Sequence, residues 1–305
     1  MIPILLLFIL PLTSFAINDV KQTRTLPPIH PIWRFDDTIK NDNSTQLGIC
    51  YGSNTQWSSY PYIVALNPTI STIEGCTGTI IDMGSSSQGR QATILTAAHC
   101  RNQISNGVYV GCNNPRNCNG AVRYSAVTSS FTTWNYQNPN PYSNDIAIFR
   151  LTTPITSPSG ATAVRLNNNI GLNSRTSRIT GYGIDETRSK PSILQTGQTQ
   201  FVSRSTCQSR WSGITIESNT ICIQDPSNTI NNPGVTACRG DSGGPMSGSD
   251  GTQYGVLAFT AAGRAGGPCE PYSCHCCPHI PQVGMSVAHF ITQICSAIGG
   301  NNLGC

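Results

Sequence analysis

The sequence predicts an all-β fold that ends in one α-helix. Between residues 60 and 260, short apolar segments alternate with clusters of Gly, Pro, Asn and Ser, and no long segment shows the 3.6-residue period of a helix. That period occurs only near the end, at Val287, Phe290, Ile291 and Ile294, before two glycines at 299–300. Many short strands are typical of β-barrels or of a β-sandwich.

Nine segments are predicted to be strands, because each is a short apolar run bounded by turn-forming residues. In chain order they are residues 62–66, 79–81, 93–96, 108–110, 146–151, 178–180, 200–202, 220–223 and 253–259. The apolar residues with helical spacing near residue 290 form one face of the predicted helix. Packing of this face on the core is enough to explain them.

The composition argues against two classes of partner. Charged residues make up 10% of the chain, and the net charge of +4 is spread without a basic run. Binding to nucleic acid or to a membrane surface is therefore not predicted. A glycine-rich loop for phosphate is not evident either.

The first 16 residues are typical of a secretory signal peptide. An apolar run leads to small residues at Ser14 and Ala16, and it is too short to span a bilayer. A basic residue at its start is missing, so an ordinary buried N-terminal segment is the alternative. The expectation is a secreted, extracellular protein.

Residues 17–48 are predicted to be a pro-segment. They contain several prolines and few clustered apolar residues, so they cannot build a core. Asn43-Ser44-Thr45 matches the acceptor motif for N-glycosylation, and this stretch is expected to be exposed. A functionless extension is the alternative. Residues 49–305 remain, and they are long enough to bury two moderate cores in one large domain or two small ones.

The fourteen cysteines indicate disulfides, since their number is even and they follow an export signal. Cys112 and Cys118 bracket a short polar loop and are predicted to pair locally. The cluster from Cys274 to His279 also contains enough soft ligands for zinc. The secretory context favours a disulfide-stapled loop there, and no metal or other cofactor is predicted.

Three short segments contain the groups needed for nucleophilic catalysis. Ser242 lies in the segment GDSGGP, where the glycines remove side-chain bulk around the hydroxyl. A serine is a weak nucleophile at its own pKa, so it needs a base and a group that orients the base. His99 in TAAHC provides the base, and Asp145 in DIAI provides the orienting carboxylate.

These segments, in this order, resemble the trypsin/chymotrypsin-like serine endopeptidases of the secreted zymogen type, from about residue 49 to residue 294. The resemblance implies two six-stranded antiparallel β-barrels, a C-terminal α-helix and an active site in the crevice between the barrels. It implies hydrolysis of protein or peptide substrates through an acyl-enzyme. Taken singly, His99 reads as a packed histidine and Asp145 as a turn residue; together with Ser242 they predict a catalytic triad.

The resemblance also assigns supporting roles. The backbone N–H groups of Gly240 and Ser242 would form the oxyanion hole. Asp241 would pair with a new amine at Ile49, released by an activating protease that does not require a basic residue.

The resemblance implies disulfides Cys76–Cys100 and Cys207–Cys222. It also implies a bridge from Cys238 to a member of the cluster near Cys269. The pairing of the other cysteines stays open: Cys50, Cys295, Cys305 and the rest of Cys269, Cys274, Cys276 and Cys277.

Substrate preference is predicted from the residues that match the family's pocket. Thr236 stands where members that cut after Lys or Arg carry an aspartate, so a cationic side chain would be buried without a partner. Thr260 and Gln282 match the pocket walls, and they imply small aliphatic or small polar residues before the scissile bond. Gln282 either finds partners in the protein or recognises a polar substrate group. The alternative is that the insertion at 269–277 displaces this region.

Ala258 and Phe259 belong to the strand expected to pair with substrate. The family usually has a serine at the position of Ala258, whose hydroxyl contacts the triad aspartate, so one supporting hydrogen bond is expected to be missing. Two further function classes remain open. One is a non-catalytic protease homologue that acts as a binding or signalling module, and the other is a zinc-dependent binding protein.

Overall fold

The computed structural model describes residues 49–68, 75–171, 176–185, 189–211, 213–227, 234–260 and 280–305. Within these ranges the chain forms fourteen strands, two α-helices and two 3₁₀ helices, the latter at Trp57–Ser59 and Ala98–Asn106. The strands and α-helices are β1 Ser53–Asn54, β2 Ile63–Leu66, β3 Cys76–Asp82, β4 Thr93–Thr96, β5 Val108–Val110, β6 Val122–Tyr124, β7 Ala126–Thr133, β8 Ala147–Leu151, β9 Thr176–Gly181, β10 Gln195–Val202, α1 Arg204–Arg210, β11 Thr220–Gln224, β12 Pro245–Gly248, β13 Gln253–Phe259, β14 Gln282–Ser286 and α2 Val287–Ala297.

The second half of the chain forms a closed antiparallel barrel. Its strands follow the order β10-β11-β14-β13-β12-β9, and β9 pairs back with β10, while β1 adds to one edge through β10. Met246 fills part of the interior. A Cβ atom at Gly255 or Gly284 would lie 3.2 or 2.5 Å from the Met246 sulfur, so these facing strands need glycine at the two positions.

The first half forms a second antiparallel sheet in the order β6-β5-β2-β3-β4-β8-β7. Its two outer strands, β6 and β7, are separated in the chain only by Ser125, so the row of strands returns on itself in one bent segment. When β6 and β7 are counted as one bent strand, the sheet has six strands. Fully buried side chains of β2, β3, β4 and β8 belong to the main apolar core, among them Ile63, Ile80, Ile94 and Phe149.

This architecture confirms the predicted fold class of two antiparallel barrels and a C-terminal helix. All nine predicted strands are present. The strands β1, β6, β7, β12 and β14 were not predicted from the sequence. Strand β7 illustrates why, because it is largely polar and half exposed, and the chain is held there by pairing with β8 rather than by an apolar pattern.

Helix α2 follows the predicted stripe. Val287, Phe290 and Ile294 are buried, and the Phe290 ring stacks on Trp134 of the first barrel at 6.1 Å between centroids. The short helix α1 was not predicted. It begins with a cap in which Ser203 Oγ accepts from the Thr206 amide at 3.1 Å.

Four disulfides lie within the described ranges. Three are the predicted bridges Cys76–Cys100, Cys112–Cys118 and Cys207–Cys222. The fourth, Cys295–Cys305, links α2 to the last residue of the chain and was left open by the sequence.

Cys50 and Cys238 are also disulfide-bonded. The predicted cluster Cys269, Cys274, Cys276 and Cys277, with its alternative zinc site, lies outside the described residues. Among the residues that the structure does describe, no helix has both the length and the apolarity needed to cross a membrane.

Polar contacts join the two halves of the chain. Thr79 Oγ1 of β3 donates to Gln253 Oε1 of β13 at 2.8 Å, and both side chains are fully buried. In the C-terminal tail, Asn302 Nδ2 donates to the carbonyls of Ile81 and Val164, each at 2.8 Å. These contacts help to fix the position of one half of the chain relative to the other.

Candidate active site

His99 and Asp145 meet because two strands end side by side. Strands β4 and β8 are antiparallel neighbours, with Thr96 opposite Ala147. The chain leaves β4 at Thr96 and turns into the 3₁₀ helix Ala98–Asn106, which carries His99. It enters β8 two residues after Asp145, at the same edge of the sheet. Pairing between the strands therefore brings together residues that are 46 positions apart.

The carboxylate of Asp145 receives two hydrogen bonds from His99. The His99 amide donates to Oδ1 at 2.9 Å, and the ring nitrogen Nδ1 lies 2.6 Å from Oδ2. The histidine side chain is 19% exposed and that of the aspartate 8%. A carboxylate accepts only, so Nδ1 carries the proton and Nε2 is the basic nitrogen of the neutral ring.

Two opposing effects act on the pKa of His99. Burial disfavours the charged ring and lowers the pKa, while the charge of Asp145 and its hydrogen bond raise it. The net result is a pKa above that of an ordinary histidine. The ring is therefore poised as a base near neutral pH.

Ser242 is tied to the same edge through backbone contacts. Its carbonyl accepts from the Thr77 amide at 2.9 Å, and Thr77 follows Cys76, which is bridged to Cys100 beside His99. The next residue, Gly243, donates to the Leu257 carbonyl at 2.8 Å in the second barrel. Ser242 thus lies between the barrels. Among the described residues, no hydrogen bond joins its hydroxyl to the His99 ring, whose contact is with Asp145.

A ring nitrogen of His99 and the sulfurs of Cys76 and Cys100 lie within 4.8 Å of one another. This trio is not a metal site, since both sulfurs are consumed by the disulfide. The bridge instead packs against the imidazole and fixes the start of β3 next to it.

The glycines around Ser242 are required by close backbone approach. Gly240 has φ of 98°, and a Cβ atom there would lie 2.8 Å from Gly183 Cα. Gly243 has φ of 82°, and a Cβ atom there would collide with Thr96 Oγ1 and lie 2.9 Å from the Ala97 amide. Both positions combine left-handed backbone with no room for a side chain.

Asp241 is 2% exposed, and its carboxylate accepts from the amides of Gly183 and Cys238, each at 2.8 Å. Burial raises the pKa of Asp241 to about 7, although the two backbone hydrogen bonds act against this rise. In the described part of the chain its hydrogen bonds come from these amides and not from a cation.

Ile49 is fully buried in the second barrel, in a cluster with Ile179, Ile223 and Leu257. The next residue, Cys50, pairs with Thr236 in an isolated antiparallel β-bridge, in which the Thr236 amide donates to the Cys50 carbonyl at 3.2 Å. No hydrogen bond between Ile49 and Asp241 occurs in the described ranges, where the Asp241 partners are the two amides above.

Two of the predicted pocket residues, Thr236 and Gln282, lie close together. Gln282 Oε1 accepts from the Ala237 amide at 2.9 Å, and its Nε2 lies 3.5 Å from the Val235 carbonyl. The buried Gln282 amide is therefore held by backbone, one of the two outcomes that the sequence left open. Thr236 is fully buried beside it.

Thr260, directly after the end of β13, is 3% exposed, and its hydroxyl has no hydrogen-bond partner within the described chain. The Phe259 ring lies between Tyr142 and Trp211, with centroid distances of 5.5 and 5.4 Å. Ala258 is buried and has no hydroxyl to offer. In the described ranges, both hydrogen bonds to the Asp145 carboxylate come from His99.

Sequence reasoning missed the polar residues that surround Asp145. Asn144 has φ of 55° and bonds to Asn219 of the second barrel at 2.6 Å. An asparagine directly before the candidate aspartate is a weak signal, because asparagine is enriched in left-handed turns. Nothing in the local pattern identifies Asn219.

The family model described as Trypsin matches residues 49–272. Trypsin alpha of Drosophila melanogaster is 32% identical over 213 residues, which cover 68% of this chain and 75% of that protein. A chymotrypsin-like serine proteinase of Haliotis rufescens is 36% identical over 165 residues, covering 50% of this chain and 60% of its own length.

Among solved structures, neuropsin, a serine protease expressed in the limbic system of mouse brain, has a similar fold. The TM-score is 0.64 at 22% identity, and the match covers 82% of this chain and all of that one. The family match, the sequence relatives and the shared two-barrel architecture agree. The chain belongs to the trypsin family of serine endopeptidases.

Proposed function

We propose that this protein hydrolyses peptide bonds with Ser242 as the nucleophile, His99 as the general base and Asp145 as the group that orients the base. The observation that carries the proposal is the pair of hydrogen bonds from His99 to Asp145. This pair leaves the second ring nitrogen basic, on the ring that packs against the disulfide next to the Ser242 backbone.

In the proposed reaction, Ser242 Oγ attacks the peptide carbonyl while His99 Nε2 takes the hydroxyl proton. The protonated ring then gives this proton to the departing amine, which leaves an acyl-enzyme. A water molecule repeats the sequence and releases the acid. Asp145 keeps the ring in one tautomer and stabilises its positive charge while the tetrahedral intermediates exist.

The backbone N–H groups of Gly240 and Ser242 are the proposed donors to the oxyanion. Support comes from the left-handed conformation of Gly240 and from its carbonyl, which accepts from Thr77 Oγ1 at 3.0 Å and so faces away from substrate. Loss of one such donor costs roughly 3 to 4 kcal/mol of transition-state stabilisation.

We assign the pocket that receives the residue before the scissile bond to Thr236, Thr260 and Gln282, next to the strand with Ala258 and Phe259. None of the three pocket side chains carries a charge, so a Lys or Arg side chain would be buried unpaired. Gln282 is held by backbone amide and carbonyl groups and narrows the site. Small aliphatic or small polar side chains fit this description best.

We further propose that the protein is made as a secreted zymogen, with residues 1–16 as signal peptide and 17–48 as pro-segment. Cleavage before Ile49 by an activating protease would release an amine for the buried Asp241 carboxylate. The β-bridge between Cys50 and Thr236 supports this, because it holds the residue after Ile49 against a segment that lies close to Asp241 in the sequence. N-terminal sequencing of active enzyme tests it, and full activity with residues before Ile49 still attached contradicts it.

A fluorophosphonate probe tests the catalytic assignment directly. The processed protein is expected to be labelled at Ser242, and Ser242→Ala is expected to abolish labelling and peptide hydrolysis. Ser129→Ala, an exposed serine on β7, is the matched control and should label normally. A folded, processed protein that is not labelled would instead support the non-catalytic homologue.

A further inference from the structure

The loop that precedes Asp145 is held by the second barrel. This loop runs from the end of β7 at Thr133 to the start of β8 at Ala147. Asp145 is the central residue of a tight turn, since the Ile146 amide donates to the Asn144 carbonyl at 2.8 Å. A movement of Asn144 is therefore transmitted to the Asp145 carboxylate through one covalent link.

Asn144 is fixed by all of its side-chain polar atoms. Its Nδ2 donates to the carbonyls of Asn135 and Asn138 at 3.0 and 2.8 Å. Its Oδ1 accepts from Asn219 Nδ2 at 2.6 Å. Two carbonyls can only accept, so the amide group of Asn144 must face them with its nitrogen and present its oxygen to Asn219.

Asn219 is a rigid anchor for this contact. It immediately precedes β11, its side chain is 7% exposed, and its carbonyl accepts from the Ser286 amide at the end of β14 at 2.8 Å. The contact between the two asparagines therefore spans from the barrel that carries His99 and Asp145 to the barrel that carries Ser242.

Glu217 strengthens the same junction. Its Oε1 accepts from Asn140 Nδ2 at 2.6 Å and from Ser143 Oγ at 2.5 Å. Ser143 is 2% exposed, so this is a charge-assisted hydrogen bond in a mostly dry setting. Asn219 and Glu217 thus both hydrogen-bond to the loop within a few residues of Asp145.

We infer that Asn219 is a positioning residue for catalysis, which holds Asp145 against His99 through Asn144 across the barrel junction. The inference rests on the proposed triad. It accounts for a feature of this chain, because Ala258 supplies no hydroxyl to Asp145 and the carboxylate must be held by other means. Because the Asn219–Asn144 hydrogen bond joins the two barrels, the position of Asp145 relative to His99 also depends on how the barrels pack together.

Kinetics of Asn219→Ala in the processed enzyme test the inference. We expect kcat to fall by between about tenfold and about 100-fold with KM changed by less than about twofold, because positioning is lost while the substrate pocket is intact. We also expect the acid limb of the kcat–pH profile to move to lower pH, since a displaced Asp145 no longer raises the pKa of His99 to the same extent.

Asn167→Ala is the matched control. Asn167 is also 7% exposed, and its Nδ2 makes one close bond to a backbone carbonyl, that of Asn169 at 2.6 Å, away from the triad. It should leave kcat and the pH profile unchanged. Asn219→Asp keeps the shape of the side chain but removes the donor, so it should lower kcat as Asn219→Ala does.

A double-mutant cycle with Asn144→Gly identifies the route. Glycine suits the left-handed backbone of residue 144, so this variant removes the amide without adding strain. If the two asparagines act through each other, the double variant Asn144→Gly/Asn219→Ala should have the same kcat as the less active of the two single variants.

The possible results separate the two levels of the proposal. If Ser242→Ala and Asp145→Asn are inactive but Asn219→Ala and Asn219→Asp match Asn167→Ala, the positioning role is overturned and the proposed function stands. A fall in kcat with an unmoved acid limb, or fully additive losses in the cycle, likewise contradicts the inference. If Ser242→Ala retains hydrolysis, the proposed function itself fails.

Discussion

Both oxygens of the Asp145 carboxylate are occupied by one residue, His99, through its amide at 2.9 Å and its ring at 2.6 Å. The amide contact fixes the carboxylate relative to the backbone, and the ring contact then fixes the imidazole relative to the carboxylate. A side chain held at two points loses less entropy when the charged intermediate forms. The arrangement is prepared before substrate binds.

Replacement of Asp145 by asparagine tests this arrangement. Asp145→Asn keeps the shape but presents an N–H group to the ring, which disfavours the tautomer that needs Nδ1 protonated. We expect kcat to fall by roughly 10⁴-fold at neutral pH. Asp250→Asn, at an exposed turn, is the control and should be neutral. Activity of Asp145→Asn close to that of the control would contradict the proposed triad.

The pH dependence of the unmodified enzyme follows from the raised pKa of His99. The reaction needs the neutral ring, and a raised pKa means that the ring becomes protonated at a higher pH than an ordinary histidine does. Activity should therefore be lost on acidification with a midpoint above about 6.5, the usual histidine value. Initial rates between pH 4 and 8 measure this, and a rate that is unchanged down to pH 4 excludes His99 as the base.

The stability of the uncut chain should depend on Asp241. Its folded pKa of about 7 lies above the unfolded value, so the folded state binds more protons between about pH 4 and pH 7. The carboxyl group therefore destabilises the fold progressively as pH rises through this window. Asp241→Asn removes the effect, so its Tm should gain on that of the parent chain as pH rises. An equal Tm difference at pH 4 and pH 7 is the contradicting result.

Gly243 should tolerate no side chain. Gly243→Ala combines a strained φ of 82° with a collision against β4, and we expect a loss of at least about 3 kcal/mol in stability or failure to fold. Gly251→Ala is a matched control, because its φ is 75° but a Cβ atom there meets open space. That control should cost only about 1 to 2 kcal/mol. Chemical denaturation measures both, and equal losses would contradict the close packing at Gly243.

Thr260 should limit the size of the side chain accepted before the scissile bond. Thr260→Gly removes a buried side chain whose hydroxyl has no partner in the described chain, and it opens the proposed pocket. We expect kcat/KM for a phenylalanine substrate to rise relative to that for an alanine substrate by about tenfold or more. Thr199→Gly, on β10, also removes a fully buried threonine whose hydroxyl has no partner among the residues that the structure describes, and it should leave the ratio unchanged. An unchanged ratio in Thr260→Gly would remove it from the pocket.

The chemically informative residues were accessible from the sequence because the chemistry limits their surroundings. At Gly240 a Cβ atom would lie only 2.8 Å from Gly183 Cα, so the glycines around Ser242 indicate a place where two backbone segments approach closely. The apolar stripe of α2 and the short loop between Cys112 and Cys118 are likewise local features. The helix depends on the period of its apolar residues and the disulfide on the length of its loop. A single short stretch of sequence contains each of these in full.

Residue types and their local pattern are enough to predict the all-β class, the strands with buried apolar faces and the residues proposed for the triad. Three other features depend on the folded chain: polar β7 pairs with β8, backbone groups hold the Gln282 amide, and Asn219 binds Asn144, the residue before Asp145. Asn144 and Asn219 are 75 positions apart, and either amide alone looks like any polar loop residue. A hydrogen bond across the barrel junction depends on the packing of both barrels, and no local pattern contains that information.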